Sequence, residues 1–226
     1  MNRSLLFIAV ANSLWGLGEG MFFNFVPIYL DRQFALSEYE IGLVLGAFGF
    51  SMAITHIPAG RIADKVGRRP LLIIAWIMGI VSAFVMGVAL VLPLFLIGLF
   101  IYGSTAFVSS PLSSYVTAAR GNLPIGTVLS LTTATFAMGM VLGPITGGWI
   151  GDNFGMRVSF FVAAAVFVLS TIFVFLIERQ PLDQDDPEAP APNLRSNQRF
   201  IVFMGVLAFA IFAMYLAQPL TPNFLS

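Results

Sequence analysis

A carboxylic acid set inside a long apolar run is the first residue here that could do chemistry. Glu19 lies within Leu5–Leu30, and Asn12, Trp15 and Gly16 precede it by seven, four and three residues. That spacing puts all four on one face of a helix. Asn24 follows toward Pro27. An acid in hydrocarbon is costly unless paired or protonated, and it normally faces a bundle interior or a wet cavity. A group that is neutral when dry and charged when wet is what a proton carrier requires. The competing reading is a structural acid that hydrogen-bonds helices together. Trp15 with Phe22 and Phe23 could line an apolar pocket or simply meet core and lipid.

Charge concentrates again in Gly60–Arg69, GRIADKVGRR, where Arg61, Lys65, Arg68 and Arg69 surround Asp64 between two apolar runs. Each cation at a bilayer centre would cost roughly 2.5–3.5 kcal/mol. Four cannot share hydrocarbon, so the sequence predicts a short loop at a membrane face. Pro58 and Gly60 are expected to end the preceding helix, Gly67 to supply a positive-φ turn, and Pro70 to fit the first turn of the next helix. Asp64 and Arg68, four apart, would face each other on a helical turn. These residues resemble the loop signature of the major facilitator superfamily of secondary transporters, G-x-[L/I]-A-D-[R/K]-x-G-[R/K]-[R/K]. The match runs Gly60, Ile62, Ala63, Asp64, Lys65, Gly67, Arg68, Arg69. A loop that merely oriented a membrane protein would need cations but neither Asp64 nor the two glycines.

A second motif, Gly139-Met-Val-Leu-Gly143-Pro144-Ile-Thr-Gly147-Gly148, resembles the antiporter signature of drug/proton exchangers, G-x-x-x-G-P-x-x-G-G. Glycines every four residues leave a bare stripe that a neighbouring backbone can approach. Pro144 removes a donor and favours a bend. Such a face suits a helix that slides or rocks against a partner without leaking; ordinary small-residue packing is the alternative. Gly42 and Gly46 alone read as packing.

Other chemistry is poorly served. The sequence has no G-x-x-x-x-G-K-[ST] for ATP, no cluster with metal-ligand spacing, and one histidine, His56, too few for a nucleophile–base pair. His56 falls near the inner end of a span, where an interfacial anchor is the simpler role. There is no cysteine, and no cofactor is expected.

The elements that must position these residues follow from hydropathy. Hydrophobic residues make up 58% and charged ones 10%, with mean hydropathy +0.91. This is a polytopic membrane protein in contact with a lipid bilayer. Its net charge of zero argues against nucleic acid as a partner. Spans are expected near 4–30, 39–59, 71–91, 94–118, 127–150, 157–177 and 200–222. With the N-terminus cytoplasmic, nine of the 11 Lys and Arg fall inside and only Arg32 and Arg157 outside, which predicts that orientation in the cell membrane. Residues 178–199, with four prolines and five acids, read as a cytoplasmic linker. Pro27, Tyr29 and Leu30 have counterparts 195 residues on in Pro222, Phe224 and Leu225, the mark of a repeat.

The expected fold is therefore all-α: a six-helix N-terminal bundle over 1–177, the linker, and over 200–226 the first helix of an incomplete second half. The resemblance implies secondary transport of a small molecule, with proton-coupled efflux by alternating access. Asp64, Arg68 and Gly60 would form an inner gate, and Gly143, Pro144 and Gly147 a sliding face. Glu19, Asn12, Trp15 and Asn24 would line the route. The alternative is a truncated half that transports nothing alone, lacking its second half or a pairing chain. Two departures stand out. Many proton-coupled members carry an arginine in the fourth span, whereas Leu96–Ala106 has no cation. The helix that Asp64 bonds in the family belongs to the second half.

Overall fold

The computed structural model describes residues 2–180 with Gln198, Ile201, Val202, Gly205 and Val206; the side chains of 57–61, 63 and 64 lie outside what it describes. The helices are α1 (Arg3–Phe22), α2 (Val26–Phe34), α3 (Glu38–Val66), α4 (Arg68–Val88), α5 (Leu92–Ser104), α6 (Ser109–Ala118), α7 (Ile125–Phe154) and α8 (Met156–Phe175). No strand occurs among the described residues. Single 3-10 turns, Phe23–Phe25 and Thr105–Val108, join α1 to α2 and α5 to α6, so each pair acts as one rod. Five rods are long and apolar enough to cross a membrane: Arg3–Phe34, Arg68–Val88, Leu92–Ala118, Ile125–Phe154 and Met156–Phe175. With α3 they make the six expected helices.

Local chemistry sets the boundaries. The Asn2 side chain accepts from the Ser4 N–H at 3.2 Å and caps α1. Ser37 and Glu40 form a reciprocal capping box at the start of α3, with the Ser37 N–H donating to Glu40 Oε2 at 2.8 Å. Prolines occupy the first turns of α2 and α5, where a missing N–H costs nothing.

One boundary differs from expectation. The segment Gly60–Pro70 is not a loop: α3 runs through Pro58 and Gly60 to Val66, and α4 starts at Arg68. A helix of 29 residues is about 43 Å long, against roughly 30 Å of hydrocarbon. The charged turns therefore extend beyond the apolar layer as helix, where water serves them. The reversal falls on Gly67 alone, at φ 87° and ψ 163°, a conformation that is nearly glycine-only. Because Gly67 interrupts the helix, Asp64 and Arg68 do not share a helical turn. Pro70 does sit in the first turn of α4, as expected.

In lipid, helices are held by packing and interhelical hydrogen bonds more than by the hydrophobic effect. α1 is the central rod, packed most extensively on α7 and α8, while α4 packs on α8 and α5. An aromatic core fills the junction. Trp15 stacks on Phe167 at 4.6 Å, Phe22 meets Phe160 at 5.5 Å, and Tyr29 meets Phe95 at 5.1 Å. A hydrogen-bond relay stitches three helices beneath it: Trp76 Nε1 donates to Ser170 Oγ at 2.7 Å, and Ser170 Oγ donates to the Ala11 carbonyl at 2.6 Å.

The chain divides into two compact units, Met1–Leu182 and Asp183–Ser226, and the bundle belongs to the first. In the second, Gln198, Ile201, Val202, Gly205 and Val206 are helical. The remainder of the span expected over 200–222, and of the linker beyond Gln180, lies outside the described residues.

Candidate functional site

Glu19 is half-buried in α1, and its polar neighbours are Tyr102 of α5 and Trp15 one turn earlier. The Tyr102 hydroxyl is buried and closes no hydrogen bond of good geometry. Trp15 belongs to the core, 8% exposed, wedged among Trp76, Tyr102 and Phe167. The other two expected route residues go elsewhere. Asn12 is buried and donates through Nδ2 to the Thr132 carbonyl at 2.6 Å, clamping α1 to α7. Asn24 is exposed on the 3-10 turn after α1. The structure thus joins Glu19 to Trp15, while Asn12 on the same helix engages α7 and Asn24 stays exposed.

The glycine motif of α7 meets α1 backbone to backbone. A Cβ at Gly139 would strike the Ser13 carbonyl, one at Gly147 the Met21 carbonyl, and one at Gly143 would lie 2.5 Å from Gly20 Cα. Gly16 and Gly20 supply the opposing bare positions. Gly148 is off this seam, with Phe25 Cζ at 3.5 Å from its Cβ position. Pro144 sits inside α7 without ending it. By contrast, no described atom lies within 4 Å of a Cβ built at Gly42, Gly46 or Gly49, so close packing within the described bundle does not account for that row.

Cations gather at one end of the bundle. Arg69 Nη2 donates to the Phe175 carbonyl at 2.8 Å, at the end of α8, and Arg68 Nη1 to Gln180 Oε1 at 3.1 Å. Gln180 Nε2 in turn donates to the Tyr115 carbonyl at 2.9 Å, Tyr115 donates through its hydroxyl to the Glu178 carbonyl at 2.7 Å, and the Glu178 N–H donates to Ser4 Oγ at 3.2 Å. Lys65 is exposed nearby in sequence at the end of α3. This clasp was invisible in the sequence, because Tyr115, Gln180 and Ser4 match no motif and their partners are mostly backbone atoms. His56 is exposed, its Nδ1 3.4 Å from Ser109 Oγ. At the opposite end Arg157 Nη2 donates to the Ala89 carbonyl at 2.6 Å. There α1, α2, α7 and α8 enclose a cleft of about 230 Å³ rimmed by Arg32 and Asp152. Among the described residues no group of His, Asp or Glu could hold a metal ion.

This arrangement has a recognisable counterpart, since residues 8–225 match the profile of the Major Facilitator Superfamily. The chain belongs to that superfamily. Similar members include Multidrug resistance protein 2 of Bacillus subtilis (strain 168), 26% identical over 171 residues, 75% of this chain and 42% of that protein. Tetracycline resistance protein, class D, of Salmonella ordonez is 25% identical over 223 residues, 96% of this chain and 56% of that protein. The chain spans about half the length of the curated relatives it matches. The crystal structure of the nucleoside transporter NupG (D323A mutant) aligns with TM-score 0.73 at 16% identity, covering 98% of this chain and 58% of that one, which establishes the shared fold. The superfamily is a family of integral membrane transporters.

Proposed function

We propose that this chain supplies the first six-helix half of a secondary transporter that exports a small, amphipathic molecule in exchange for protons by alternating access. The observation that carries the reading is Glu19: one carboxyl midway along an apolar helix, half-buried beside Tyr102 rather than sealed in an ion pair. An intramembrane acid of this kind marks an ion or substrate path by default. The named functions of the relatives in drug and tetracycline resistance support the direction of transport. In this reading the cation-rich end is cytoplasmic. The α3–α4 junction, with Gly60, Asp64, Lys65, Gly67, Arg68 and Arg69, works as the inner gate as two halves rock. The Gly139, Gly143, Pro144 and Gly147 seam makes α1 and α7 one unit that tilts without a gap between them.

The test uses everted membrane vesicles carrying the full-length gene. A pH gradient should drive uptake of amphipathic cationic probes, and Glu19→Gln should abolish it while leaving membrane insertion intact. Uptake indifferent to both the gradient and Glu19 would refute proton exchange. A second reading, that these 226 residues transport only when joined to or paired with another six-helix half, rests on the share of the relatives' length they span. Vesicles holding this chain alone should then be inactive and regain uptake on co-expression of the other half.

A further inference from the structure

We propose that the Tyr102 hydroxyl is the hydrogen-bond partner that holds the Glu19 carboxyl in position, which makes Tyr102 a positioning residue for proton carriage; this rests on the reading of Glu19 given above.

The ring of Tyr102 is gripped on the face of α1 that carries Glu19. It stacks on Trp15 at 6.0 Å and 12°, meets Phe22 edge-on at 5.1 Å and 78°, and touches Phe23 at 6.3 Å. Those residues stand four before, three after and four after Glu19, so the ring straddles the turn from which the carboxyl projects. Phe167 of α8 closes the other side at 6.2 Å and 16°. Held this way, Tyr102 is only 5% exposed, and its hydroxyl is buried with Glu19 and Trp15 as its polar neighbours. A buried hydroxyl is costly to leave unmade, so a nearby acceptor is a strong attractor. Among the described residues the titratable group beside Glu19 is Tyr102, with the Trp15 indole as the other polar neighbour. From α8 this junction receives Phe167, from α4 Trp76, from α3 Phe48, and from α7 Gly143 and Pro144, which face Gly20 of α1; none of these brings a charge.

The two neighbours differ in what they can do. An indole N–H only donates, whereas a phenol both donates and accepts. Tyr102 can give its proton to a hydrogen bond with the carboxylate and, by rotating its O–H, accept one from the neutral acid. Both protonation states of Glu19 are thereby served without moving either helix.

Infrared difference spectroscopy of the full chain in liposomes, across a pH step, tests this. A carboxyl band that Glu19→Gln removes identifies the acid. Tyr102→Phe, which keeps the ring and its stacking, should move that band to higher frequency as the neutral acid loses the hydroxyl that accepts its O–H. Ring-labelled tyrosine should show a C–O band that responds to the same step in the unaltered chain and falls silent in Glu19→Gln; this second readout does not depend on Tyr102→Phe folding. A Glu19 band unmoved in folded Tyr102→Phe, or a tyrosine band indifferent to Glu19→Gln, overturns the Tyr102 assignment alone. If Glu19→Gln removes no band, the reading of Glu19 falls and takes this proposal with it.

Discussion

Two glycines five residues apart in α7 should respond oppositely to the same added methyl. At Gly143 it would meet Gly20 Cα at 2.5 Å, which only separation of two backbones can relieve. Gly143→Ala should destabilise the bundle by roughly 1–3 kcal/mol in reversible denaturant titrations. Gly148→Ala, whose methyl would rest 3.5 Å from a phenylalanine side chain, should stay within about 0.5 kcal/mol of the parent. Ser170→Ala strands the buried Trp76 N–H and should cost about 1–2 kcal/mol. Adding Trp76→Phe should then cost less than it does alone, and strictly additive effects would show that the relay is not coupled. At this scale the sequence was half legible. The stripe of Gly139, Gly143 and Gly147 announced a close approach, but not that α1 would be the partner. Glu19 and Trp15 fell on a common face as spacing required. The partner of Asn12 was not legible, because a side-chain amide bonds whichever carbonyl is near, and Thr132 was 120 residues away.

The rods themselves were legible because an apolar run of about 20 residues has few other ways to exist. Their ends were less so. Pro58 and Gly60 weigh roughly 3 and 1 kcal/mol against helix, and local weights alone would stop α3 there. The structure stops it at Gly67 instead, where the chain takes φ 87°. Gly67→Ala should therefore strain the α3–α4 reversal by about 1–3 kcal/mol, whereas Gly60→Ala, inside the helix, should be neutral or stabilising by up to about 1 kcal/mol. Thermal unfolding of the two variants side by side decides the point. Equal destabilisation would place the reversal at Gly60 after all.

Across the molecule, the alternation of helices brings Arg3, Lys65, Arg68, Arg69, Arg120 and Arg179 to one end and leaves Arg32 and Arg157 at the other. The sequence contains one lysine, Lys65, and no cysteine, so topology can be read cleanly. An impermeant amine reagent should reach Lys65 in everted vesicles and not in intact cells, while Asp152→Cys should be labelled by an impermeant thiol reagent only from outside; the reverse pattern would invert the proposed orientation. The bonds that bind α1 to its partners also say something about how the protein is made. Asn12 and the Ala11 carbonyl await Thr132 and Ser170, which are 120 and 159 residues later in the chain. At roughly 5–20 residues per second, the first helix waits on the order of 6–24 s for Thr132 alone to be synthesised. During that interval its amide and its acid must lean on something other than their final neighbours. Until the fifth and sixth rods arrive, water, lipid or another protein has to satisfy the polar groups of the nascent helix.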